Sequence, residues 1–248
     1  MSGKIFYHIN SHKIFFWLFI LILCAQIFLW KKTENFHAAF DIVPPAPNKY
    51  LVEAISFGDR EFIFHSLAMR LQNSGDVFAG FVSLKNYDYS RIYDWMMMLD
   101  GLNSQSHLVP SLAANYYAQT TKTEDVRHII NYLEIHSVKD IDANWWWMFQ
   151  ASYLAKDSLK DLPRALELAE KLAKNNAKEA PLWTKEMPAF ISEKMGNGCL
   201  AFKTIQQLID DAQSGKREVA AHEMDFLRYF IRDRLSKLKN QKFDPRKC

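Results

Sequence analysis

From Ile14 to Trp30 the chain carries no charge and only one amide, Gln26, with Lys13 on one side and Lys31 and Lys32 on the other. A charge-free run on every face of a helix suits lipid rather than a protein core. Its 17 residues predict a helix of roughly 25 Å, a little under the hydrocarbon thickness, which snorkelling lysines and the interfacial Trp17 and Trp30 make up. No small-x-small cleavage site follows, so the helix is expected to be retained. Beyond it the pattern changes period. Apolar positions recur at helical spacing over 51–57, 60–72, 89–102, 108–120, 123–135, 143–156, 162–175, 182–194, 199–212 and 218–239. Turn residues separate them: Gly58-Asp59, Ser74-Gly75-Asp76, Asn103-Ser104 and Gly196-Asn197-Gly198. No alternating run competes as a strand, so the class is all-α. Between the anchor and the first of these helices, Pro44, Pro45 and Pro47 predict a stiffened, extended spacer.

Some of the helices repeat. Trp147-x2-Gln150-Ala151-x2-Leu154 is followed by Ala165-x3-Ala169-x2-Leu172. Further on, Gly196 precedes Ala201-x3-Ile205-x2-Leu208, and earlier Leu112-Ala113-x2-Tyr116 precedes Val126-x3-Ile130-x2-Leu133. This alternation of small and large positions resembles the tetratricopeptide repeat, degenerately, over about residues 60–213. Residues 60–102 read as a further copy stretched by the loop 76–87. Helices packed as a hairpin need small residues where they cross and large ones where they meet the next hairpin. Pro163 suits a helix start; Pro188 falls inside a first helix and is expected to kink it. The resemblance implies a helical-hairpin solenoid with a groove that takes a peptide or partner helix. Its register places Tyr117, Trp145, Met148, Trp183, Glu186 and Phe190 along that groove, and gives Trp147 to packing.

The implied organisation is a tail at 1–13, a transmembrane helix at 14–30, a spacer at 31–49, repeats at 50–215 and a basic capping helix with its tail at 216–248. Net charge is only +3, but 216–248 holds ten Lys or Arg against five acids. Arg228, Arg232 and Lys239 lie off that helix's apolar stripe and form a candidate face for acidic lipid or an acidic partner. A near-neutral body without a recognition motif points away from nucleic acid. Cys24 lies in the anchor, without the small preceding residue of a lipoprotein signal, which leaves Cys199 and Cys248 as the one extramembrane pair that could form. The positive charges flanking the anchor nearly balance. A short tail is more easily left in the cytoplasm, so the body is expected across the membrane. The lack of any Asn-x-Ser/Thr sequon favours a bacterial inner membrane over a eukaryotic secretory route.

Chemistry is sparse. His222-Glu223 begins a zinc-protease HExxH, but Phe226 stands where the second histidine is required. His128 and His136 could share a helix face without a third ligand. No nucleophile elbow, phosphate loop or dinucleotide fingerprint occurs. The expectation is a non-enzyme without cofactor or metal: a single-pass, membrane-anchored adaptor that binds a protein partner. Two other readings stay open, an integral structural subunit and a cell-envelope enzyme with a non-local site.

Overall fold

The computed structural model describes residues 5–33, 41–77, 80–235 and 248. The chain divides into two compact units, Met1–Asp41 and Ile42–Cys248. The first contains α1, Ile5–Thr33. Its stretch Lys13–Lys32 has a mean hydropathy of 2.2 and none of it is buried within the protein. Twenty residues at 1.5 Å rise give about 30 Å, long and apolar enough to cross a membrane.

Among the described residues, the regular structure of the second unit is helical apart from one short two-stranded ladder. Its helices are α2 (Lys49–Ile55), α3 (Arg60–Gln72), α4 (Tyr89–Leu102), α5 (Leu108–Asn115), α6 (Val126–Val138), α7 (Trp145–Asp157), α8 (Leu162–Leu172), α9 (Trp183–Lys194), α10 (Gly198–Gln213) and α11 (Ala221–Tyr229). Local chemistry sets several starts. Asp59 accepts from the Phe62 amide at 2.9 Å, Asp161 from Arg164 at 3.1 Å and Asn197 from Leu200 at 3.1 Å, each satisfying a donor the first turn leaves open. Pro163, in the first turn of α8, has no donor to lose there. α9 runs through Pro188 as one helix.

From α6 to α10, each helix packs on its neighbours in the chain. The small residues are where close approach requires them: Ala151, Ala165, Ala169 and Ala201 are fully buried. Between α7 and α8, the Ser152 hydroxyl donates to the Ala165 carbonyl at 2.9 Å. Glu134 on α6 pairs with both Arg164 and Lys171 of α8. The main core runs from Val43 to Ile191, and a second cluster joins Ala189, Ala201, Ile205, Leu227 and Phe230.

Four expectations need correction. The spacer does not stand clear of the body: Val43 is buried, Arg91 donates to its carbonyl at 2.9 Å, and the Trp95 indole donates to the Pro44 carbonyl at 2.7 Å. Proline-rich backbone keeps its acceptors, and α4 supplies the donors. The body therefore begins at Ile42; residues 34–40 of the expected spacer lie outside the described residues. The loop 76–87 contains a small antiparallel ladder, β1 (Asp76–Val77) with β2 (Gly80–Phe81). The helix expected over 108–120 ends at Asn115, and a 3-10 turn at Tyr117–Gln119 lets the Tyr117 hydroxyl donate to the Leu71 carbonyl at 2.6 Å. The last helix changes to a π-turn at Phe230–Leu235, and its expected end at 239 lies outside the described residues.

Candidate functional site

Two consecutive helical turns of α7 carry Trp145, Trp146, Phe149 and Tyr153, which sit at offsets of one, four and eight from the first. Residues three and four apart share a helix face. Trp146 and Phe149 approach to 5.2 Å between ring centroids, and Phe149 and Tyr153 to 6.1 Å. Trp183, from the first turn of α9, closes the group. It meets Phe149 edge-on at 4.8 Å and Trp145 edge-on at 6.0 Å. Such edge-to-face pairs gain from ring quadrupoles beyond area alone, and they fix the rings in place. The group is not core: Trp146 is 42% exposed and Tyr153 44%, while Trp145, Phe149 and Trp183 are half-buried.

The Lys156 ammonium lies over the Tyr153 ring, 5.5 Å from its centroid. Lys156 also borders a cleft of about 390 Å³ lined by Met187, Phe190, Lys194 and Arg234. Arg234, in the π-turn, pairs with Glu193 at 2.8 Å and lies over the rings of Phe190 and Phe230. The aromatic ledge thus passes, at Lys156, into a cleft with cationic borders.

Of the six groove residues read from the sequence, Trp145, Trp183 and Phe190 line this ledge and cleft. The other three are corrected. Tyr117 and Met148 are fully buried in the main core, and Glu186 is 5% exposed. Tyr117 was misplaced because α5 ends before it, and the 3-10 turn rotates it inward. Burial pushes its hydroxyl upward in pKa. Met148 lies one position past the packing residue Trp147, whose indole donates to His107 Nδ1 at 2.9 Å. Trp146, Phe149 and Tyr153 were missed, although their spacing of three and four was present. Arg228 and Arg232 are exposed, and Arg232 pairs with Asp233 at 2.8 Å. Lys239 lies outside the described residues.

Buried charge gathers at two other places. Asp100 on α4 lies 2.5 Å from His136 Nδ1 on α6 and also pairs with Lys139. Burial pushes the Asp100 carboxyl up, but hydrogen bonds from His136 and Lys139, with their charges, outweigh it and hold the group below its usual range. This geometry ties α4 to α6. His128, the other histidine considered, lies instead beside the Tyr93 ring. The second place is the start of α9. Lys185 donates to the carbonyls of Ala173, at 2.7 Å, and Asn175, and burial with the Arg217 charge depresses it to about 8. Glu186 beside it is pushed up to about 7 by burial and by Glu223.

Among the described residues, no group of three or more His, Cys, Asp or Glu could hold a metal ion. Glu223 of the incomplete HExxH caps α11 by accepting from the Ala220 amide at 3.1 Å. Cys199 and Cys248 form a disulfide, and Cys24 is free. The chain matches no protein family, no characterised protein and no solved structure.

Proposed function

We propose that this chain is a single-pass, membrane-anchored adaptor whose body is a tetratricopeptide-like helical-hairpin array and whose ledge receives a protein partner. The observation that carries the reading is the aromatic group on α7 and α9. Large rings held edge-to-face but left partly in water are the kind of preorganised surface from which interface hot spots are built. Rigid aromatics lose little side-chain entropy on binding. The array reading draws support from the buried small residues, and from α5 packing on α7 as α7 meets α9 through Trp183. A first-helix row of this kind is what lines the inner face of a hairpin solenoid.

The anchor reading rests on the exposed apolar length of α1. The Cys199–Cys248 disulfide favours the body on the oxidising side of that membrane, with the amino terminus in the cytoplasm. Tethering raises the local concentration of the ledge for partners in the same membrane.

The test is crosslinking of the full-length chain in cells, with mass spectrometry of the attached proteins. Trp146→Ala and Tyr153→Ala remove exposed rings that are not core, so capture should fall at least about tenfold with unchanged melting, as for hot-spot truncation. Capture that survives both changes removes the ledge from the mechanism.

A further inference from the structure

A second apolar surface lies far from the aromatic ledge in sequence. Helix α2 buries Val52, and its C-cap Ser56 is buried too, while Tyr50, Leu51, Ala54 and Ile55 face outward. The following residue, Phe57, is 96% exposed and holds a φ of +48°. Positive φ is costly for a bulky side chain, and here no packing within the body compensates it. Gly58, at φ +91°, continues the turn, and Phe62 in the first turn of α3 adds another exposed ring. The corner therefore presents four large apolar side chains and a tyrosine to its surroundings.

Its position along the chain narrows what can cover it. Only nine peptide steps separate Thr33, the end of α1, from Ile42, and fully extended chain covers at most about 30 Å over that length. Val43 and Pro44 are held on α4, and α2 starts at Lys49. A bilayer entered by α1 thus lies within about 30 Å of Ile42, which precedes the corner in the chain. The charged residues of this stretch are Glu53, Asp59 and Glu61 against Lys49 and Arg60. Asp59 caps α3, and Glu61 accepts from Asn103 at 2.9 Å. A border of slightly negative net charge gives anionic headgroups little to bind, so apolar insertion has to carry the contact.

We infer that the corner formed by α2, Phe57 and Phe62 is a second membrane contact, which inserts into the headgroup–acyl boundary of the bilayer and seats the body on it. Phe57 and Leu51 enter the acyl side, and Tyr50 suits the interface, where an apolar ring and a polar hydroxyl are both satisfied. The inference rests on α1 being a membrane anchor.

The experiment uses the full chain in phosphatidylcholine nanodiscs, with Cys24→Ala and a nitroxide on Phe57→Cys; the disulfide keeps the other cysteines unreactive. Labels on Leu23→Cys and Arg228→Cys serve as references. Expected is an accessibility ratio, oxygen over a water-soluble nickel chelate, roughly tenfold higher at residue 57 than at 228, as for a group a few ångströms below the headgroups. Adding phosphatidylserine should leave it unchanged. A lipid-exposed label at 23 with a water-exposed label at 57 overturns this inference and spares the anchor. A water-exposed label at 23 overturns both. A label at 57 shielded from both reagents shows a protein occupant, and protection that appears only at 228 with phosphatidylserine shows the basic face at work; either outcome overturns the inference. Phe57→Asn, which tolerates positive φ, should retain the native melting transition and lose labelling at Leu51 by a photoactivatable phosphatidylcholine.

Discussion

Glu186→Gln should stabilise the protein, and by an amount that depends on pH. The carboxyl is almost fully buried in the first turn of α9, and burial together with Glu223 raises it from 4.5 to about 7. A group raised on folding stabilises the native state fully below its unfolded value and loses that contribution as pH rises through the folded value. The folded chain therefore resists ionisation of Glu186 between pH 4.5 and 7, and above that window the cost is complete. At 1.36 kcal/mol per unit, the interval corresponds to about 3 kcal/mol. Glutamine has the same shape and no charge. The variant should match the parent near pH 4 and exceed it by about 3 kcal/mol at pH 8. Urea unfolding of both chains in the same detergent, followed by far-ultraviolet circular dichroism across that range, gives the difference directly. Comparing the pair cancels the carboxylates that do not interact with Glu186, including Asp100, whose depressed value acts in the opposite direction. A difference that stays flat from pH 4 to 8 would refute the reasoning, because it would mean that the side chain is solvated or already paired.

Lys185→Met reports the complementary window. Its depressed value of about 8 costs the parent stability below that pH, a cost relieved towards 10.5. On top of the constant loss of the bonds to the Ala173 and Asn175 carbonyls, the variant's stability relative to the parent should fall as pH rises from 8 to 10.5. Asp100→Ala removes the partner of His136 and Lys139 and should cost about 3–5 kcal/mol in urea unfolding. Trp95→Phe leaves the Pro44 carbonyl without its donor and should cost about 1–3 kcal/mol, with greater protease sensitivity near Ile42. Cys199→Ser with Cys248→Ser opens a loop with a sequence separation of 49 and should cost up to about 4 kcal/mol by chain entropy. Thiol alkylation should count one reactive cysteine before reduction and three after it.

How much of this was legible in the sequence follows from the range of each interaction. The apolar helix α1, α3 and α4 were readable because composition, caps and turn residues act within a few positions. The bounds of α3 and α4 follow the N-caps Asp59 and Asp88 and the Asn103 turn, while α1 runs beyond its apolar stretch at both ends. The docking of Val43 and Pro44 was not, since the donors that hold them, Arg91 and Trp95, lie 48 and 51 residues away. The same distance problem hides the Asp100–His136 pair, separated by 36 residues. At the candidate site, periodicity gave Trp147 to packing, where it is buried, but placed Met148 in the groove and passed over Trp146, Phe149 and Tyr153. Which rings face water depends on the Trp147 to His107 hydrogen bond and the Trp183 contact, both made across the fold. Phe57 was passed over because local pattern treats it as the end of a helix, whereas its exposure depends on what packs above Val52 and Ser56.

The bond between Cys199 and Cys248 makes the end of this chain a closed covalent ring containing α10, α11 and the π-turn. A protease that cuts one peptide bond inside that ring releases nothing: the two ends stay joined through sulfur, and Phe230 keeps its place against Ala201 and Ile205. Loss of the segment then requires a second event, either reduction of the disulfide or another cut inside the ring. The cationic wall that Arg234 contributes to the cleft is thereby retained through a single nick, and a clipped molecule would show its break only on a reducing gel.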